Sequence, residues 1–174
     1  SRWSDRPAIT PITEPYLDKA SDPNLPLDEV KSLIARAVAL SQRFEGSLET
    51  PEVQLRGGVI LFQRGDLAGA GELLEDAAAF YEAHGQFHRH AITCLMLGYI
   101  ELGRENHPRV LMRWDAARIG FEVCRRKSER DPMRSYSDPY DEKTRWYAER
   151  LHELTVEEAL LPEKVVGWLN RYEP

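Results

Sequence analysis

The sequence predicts an all-α protein built from repeated helical hairpins, and three observations predict it. Ala37, Ala77 and Ala117 stand 40 residues apart twice over. Each is preceded at three residues by a bulky apolar side chain (Ile34, Leu74, Trp114) and at seven by a smaller one (Val30, Ala70, Val110). Spacing of i, i+4 and i+7 is one face of a helix, so the same helix face is written three times. Second, helix-breaking turns such as Arg64-Gly65-Asp66 and the stretch from Gly103 to Pro108 separate the apolar segments. Third, 174 residues with 42% hydrophobic and 30% charged content are enough for one domain with a continuous core. A fixed period of this kind means that one supersecondary unit recurs and buries its apolar face by stacking on the next.

Residues 1–26 hold Pro7, Pro11, Pro15, Pro23 and Pro26. Proline removes backbone donors and restricts the residue before it, so this segment is expected to be an extended arm. Trp3, Ile9, Ile12 and Tyr16 give the arm apolar handles, either for packing along its own repeats or for wrapping a partner. The repeats are expected over 27–127. A first helix runs from Leu27 to Phe44, with Asp28 and Glu29 in its first turn and Gly46 near its end. Pro51 suits the opening turn of the next helix, which runs to Gln63. Its partner spans Leu67 to His84 and is stopped by Gly85; further helices follow over Phe87 to Leu102 and Arg109 to Lys127. The polar stretch 128–142 is expected as a loop, and 143–174 as two C-terminal helices that cap the stack.

Between Gly57 and Ala78 the residues resemble a tetratricopeptide repeat (TPR). Gly58 takes the place of the small residue where the first helix meets the second. Gly65-Asp66 resembles the turn, Ala70 the small residue after it, and Leu74 with Ala77 the apolar pair closing the unit. Leu97-Gly98 with Trp114 and Ala117 repeats the set, and Val30, Ile34 and Ala37 match its second helix. The resemblance covers about residues 27–125, with a 40-residue period instead of the commoner 34. It implies a right-handed α-solenoid of antiparallel hairpins that binds other protein subunits or a peptide segment, usually in a concave groove. On that pattern the inward residues are Leu55, Arg56, Val59, Phe62, Gln63, Met96 and Tyr99. They are mostly apolar, which suits an amphipathic helix or an extended apolar segment; equally, the arm or the terminal helices could cover them. Subfamilies that grip a terminal carboxylate use Lys and Asn where this chain has Leu55, Val59, Leu95 and Tyr99, so no carboxylate clamp is expected.

Other constellations point away from chemistry. His84 and His88 have the i, i+4 spacing of a helical metal site, but Gly85 breaks the helix between them. Gly65, Gly69 and Gly71 fit neither dinucleotide nor P-loop spacing. Arg64-Gly65-Asp66 reads as a tight inter-helix turn, and Arg125, Arg126, Lys127 and Arg130 as a solvated helix end. No Ser or Cys sits in a nucleophile-elbow context. Neither a catalytic residue, a metal nor a cofactor is expected, and a small-molecule ligand is disfavoured.

A net charge of −6 disfavours nucleic acid, and the longest mostly apolar run, Ala91 to Ile100, is about half of a membrane span. Cys94 and Cys124 are too few for a disulfide framework and favour a reducing compartment. This would be the cytoplasm or, if the missing initiator Met reflects transit-peptide cleavage, an organelle such as the mitochondrion. The expected function is a non-catalytic interaction module, a scaffold or accessory subunit of a larger assembly. The alternatives are a free-standing adaptor with an apolar groove, and the regulatory domain of an enzyme.

Overall fold

The computed structural model describes residues 9–129, and over them the chain is all-helical. Six helices follow one another: α1 (Glu14–Ala20), α2 (Leu27–Ser41), α3 (Glu49–Gln63), α4 (Leu67–Ala83), α5 (Phe87–Gly103) and α6 (His107–Glu129). Among the described residues there is no strand, and no helix is long and apolar enough to cross a membrane. The chain divides into two compact units, the first ending at His84 and the second beginning at Gly85. The expected loop at 128–142 lies almost wholly, and the expected capping helices at 143–174 wholly, outside the described residues.

Helices α2, α4 and α6 begin 40 residues apart, because the residue before each supplies the same first bond. The carbonyls of Pro26, Asp66 and Asn106 accept from the backbone N–H of Val30, Ala70 and Val110 at 3.0, 3.0 and 3.1 Å. All nine apolar positions that define the period are at most 2% exposed.

In the first unit, α3 and α4 form an antiparallel hairpin: Leu61 meets Gly69, Gly58 meets Leu74, and Glu52 meets Tyr81, so position falls along one helix as it rises along the other. The turn between them is a Schellman cap, with Gly65 N–H donating to Phe62 O at 3.0 Å and Asp66 N–H to Leu61 O at 3.0 Å. Gly65 occupies the left-handed region at φ +81°, where glycine carries no steric penalty. Asp66 then caps α4 by accepting from Gly69 N–H at 3.0 Å. Helix α2 lies against α3 through Ile34 over Gly57 and a Ser41–Thr50 hydroxyl contact at 3.1 Å.

The extended arm expected over 1–26 needs correction at its centre, where Glu14–Ala20 is helical. Pro15 falls in the first turn, where a missing N–H costs nothing, and Pro23 lies beyond the end. Seven residues between such prolines are a marginal helix on their own. Tertiary packing holds this one: Leu17 is fully buried in a cluster with Ala37 and Val53.

In the second unit, α5 and α6 form an antiparallel hairpin of the same kind. Glu101 meets Arg109, Gly98 meets Trp114, and Ala91 meets Gly120. Its turn repeats the Schellman bonds, from Glu105 N–H to Leu102 O at 3.0 Å and from Asn106 N–H to Glu101 O at 2.9 Å. Helix α6 starts two residues earlier than the sequence suggests, with Pro108 tolerated in its first turn.

Candidate interaction surface

The residues expected to line a groove divide between the units. On α3, Arg56, Val59, Phe62 and Gln63 follow i, i+3, i+6 and i+7 and share one side of the helix. Gln63 is exposed and the other three are half-buried, whereas Leu55 is buried and belongs to the core. Arg56 is not a free cation: its Nη2 lies 2.6 Å from Asp18 Oδ1 on α1. That ion pair ties α1 to the side of α3 on which a partner was expected. In the second unit Met96 and Tyr99 are both half-buried on α5, and the Tyr99 ring stands edge-on to Trp114 at 5.6 Å between centroids.

Of the arm residues, Ile9 and Tyr16 are partly buried against the Leu17–Ala37–Val53 cluster, so these two serve the chain's own core. Ile12 is half exposed, and Trp3 lies outside the described residues.

The remaining exposed apolar side chains fall into two groups. In the first unit Ile12, Phe44 and Leu48 are exposed, and Phe44 lies beside Arg43. The Arg43 guanidinium donates to Thr10 Oγ1 at 3.4 Å, to the Leu40 carbonyl at 2.6 Å and to Glu49 Oε1 at 3.3 Å, and it lies 5.3 Å from the Phe44 ring centre. In the second unit Phe87, Met112 and Ile119 are exposed. Single exposed apolar residues are ordinary, but those that cluster mark contact surfaces.

Sequence reasoning missed two buried carboxylates. Glu49, at the start of α3, is held by Arg43. Glu101, near the end of α5, lies 3.2 Å from Arg109 Nε and 3.6 Å from Arg104 Nη1, which bridges the α5–α6 turn. Both are half-solvated structural pairs in which the cation keeps access to water. The acidity of Asp66 is moved: the Gly69 N–H holds it below the ordinary 3.8, burial opposes this, and Lys31 at 3.2 Å adds to the lowering.

The histidines and Cys94 of the described residues make packing contacts. His84 stacks on Phe80 at 4.0 Å, and its Nδ1 lies 2.9 Å from the Phe80 carbonyl, closing the end of α4. His88 meets the Phe121 ring edge-on at 5.6 Å. Cys94, buried on α5, has His90 one turn before it, with Sγ 3.6 Å from Nε2 and 3.8 Å from Nδ1. Near-equal distances place the sulfur off the in-plane lone pair of either nitrogen, which is the wrong geometry for an imidazole to draw off the thiol proton. Among the described residues no group of three or more His, Cys, Asp or Glu could hold a metal ion. Compared with family models, with curated proteins and with solved structures, the chain matches none.

Proposed function

We propose that the protein is a non-catalytic, TPR-like interaction module that serves as an accessory or scaffold subunit of a larger protein assembly. One observation carries the reading: the nine period-defining side chains are buried alike, and the helices bearing them start at the same 40-residue interval. Repeated hairpins of this sort stabilise themselves by neighbour contacts and leave side surfaces available for other chains. The exposed apolar side chains, Phe44 beside Arg43 and Met112 and Ile119 on α6, support that reading.

The reading is tested by sizing the protein from its native source under non-denaturing conditions. It should migrate with other subunits, well above the mass of its own single chain; migration only at the single-chain mass overturns it. The adaptor reading rests on half-buried Phe62 and Tyr99. Charged substitutions at both should abolish capture of a bound peptide while leaving helical circular dichroism unchanged, and unchanged capture removes it.

A further inference from the structure

Four positions on α6 break the pattern of their counterparts. Met112, Ala116, Ile119 and Val123 follow i, i+4, i+7 and i+11, one stripe along the helix. The stripe lies opposite the buried row Val110, Trp114, Ala117 and Phe121. Met112 is 52% exposed and Ile119 55%, with Ala116 and Val123 half-buried between and beyond them. Forty residues earlier, α4 has Glu72, Asp76, Ala79 and Ala83 at these places; a further forty back stand Ser32, Arg36 and Ala39 on α2 and Arg43 just past its end, and all eight are exposed. In α2 and α4 the face is polar or small, as water requires; in α6 it is apolar throughout, with Met112, Ile119 and Val123 as its larger side chains.

The charges beside the stripe indicate what would cover it. Helix α6 carries six Lys or Arg against three Asp or Glu, in a chain of net charge −6. By helical position Arg113 and Arg109, the latter already paired with Glu101 at 3.2 Å, border the stripe on one side, and Arg126 on the other. The α6 carboxylates on that second side are already neutralised from within the helix, Asp115 by Arg118 at 3.5 Å and Glu122 by Arg125. Arg126 reaches Glu122 only at 3.9 Å and keeps 71% of its side chain in solvent. A second copy of the chain is a poor match, since a two-fold contact would set these cations against themselves and two net-negative molecules against each other. Phosphate backbones do not need an apolar centre line.

We infer that this α6 stripe docks an amphipathic helix of a partner protein whose apolar seam is flanked by Glu or Asp. The inference rests on the subunit reading above and names the partner chemistry for one of its surfaces. Apolar contact along Met112 to Val123 gives adhesion, and the bordering arginines give orientation and choice of partner.

The test uses the full 174-residue chain and a synthetic 18-residue helical peptide with Leu at i, i+4, i+7 and i+11 and Glu at the flanks, followed by fluorescence anisotropy. A second peptide carries Lys in place of every Glu. The Glu peptide should bind, more weakly as salt rises, and the Lys peptide at least about tenfold less tightly. Ile119→Glu should cost about tenfold or more and Arg126→Glu a few-fold, both with unchanged helical circular dichroism. Equal affinity for the two peptides, or indifference to Ile119→Glu, overturns the inference. So does a dimer in sedimentation that Ile119→Glu dissolves, which assigns the stripe to a second copy. Alkylation of Ile119→Cys far slower than of Phe44→Cys in the monomer also overturns it, because the rest of the chain then covers the stripe. If peptide binding fails while the native protein still migrates in an assembly, this inference falls and the subunit reading stands.

Discussion

The α3–α4 and α5–α6 hairpins share one backbone plan and fill it with different chemistry. Both turns are Schellman caps with a left-handed residue, but Gly65 in the first is Glu105 at φ +59° in the second. Both following helices are capped from the side chain, by Asp66 to Gly69 N–H at 3.0 Å and by Asn106 to Arg109 N–H at 3.4 Å. Where the first hairpin pairs buried Tyr81 with Glu52 through the phenol hydroxyl, the second sets Phe121 and Ile92 at the same places. Where the first buries Leu61, the second buries Glu101 and supports it with two arginines. Backbone geometry is therefore held by few positions, and the polar pair moves from the far end of one hairpin to the turn end of the other.

The deepest contrast is at the helix crossing. A Cβ on Gly58 would come 2.7 Å from the branching carbon of Leu74, whereas one on Gly98 would come 2.0 Å from the indole Nε1 of Trp114. That indole is also fixed by donating to the Leu95 carbonyl at 3.2 Å. Gly98→Ala must displace a wedged ring and its hydrogen bond, so a loss of about 3 kcal/mol is expected, net of alanine's better helix propensity. Gly58→Ala should lose about 1 kcal/mol, since a leucine can change rotamer. Urea unfolding followed by circular dichroism measures both, and equal losses would mean that the two crossings are energetically alike.

A smaller effect separates the caps. The folded-state acidity of Asp66 is raised, so its stabilising contribution is complete above the unfolded carboxyl value and is lost as pH falls through the lower folded one. Asp66→Asn is expected to cost up to about 1 kcal/mol at neutral pH, with the gap to wild type closing below the ordinary 3.8. Asn106→Asp should add acid sensitivity of the same sign to the second hairpin. Unfolding measured from pH 7 down to about 2 checks this, and a gap that does not narrow removes the charge from the account.

The smallest change concerns the turn residue. A non-glycine side chain in the left-handed region costs about 1 kcal/mol, part of which Glu105→Gly returns as extra freedom of the unfolded chain. A net gain of about 0.5 kcal/mol is expected. Gly65→Glu should lose a similar amount, and opposite signs for the two substitutions in the same denaturation assay are the check.

The helical hairpins were legible because apolar periodicity and turn chemistry are local: Ile34, Leu74 and Trp114 announce a buried face, and Gly65-Asp66 a turn, without reference to distant residues. Helix α1 was hidden because its stability is tertiary; nothing near Pro15 shows that Leu17 will sit against Ala37 and Val53. Burial of Glu49 and Glu101 was hidden for a similar reason, since each depends on which of many arginines folds back to meet it. Surface residues were legible only in part. Placing Leu55 beside Arg56 on an open side ignored that adjacent helical positions diverge by about 100°, enough to send one into the core and the other to Asp18.

The three-residue connections at 64–66 and 104–106 have a kinetic consequence. Each hairpin's partners lie within about thirty residues of one another, so little loop entropy opposes their first encounter, and such low-contact-order chains fold in microseconds to milliseconds. A helix pair that closes this fast exposes the apolar row of α4 or α6 only briefly as it leaves the ribosome, and so gives aggregation little time to compete.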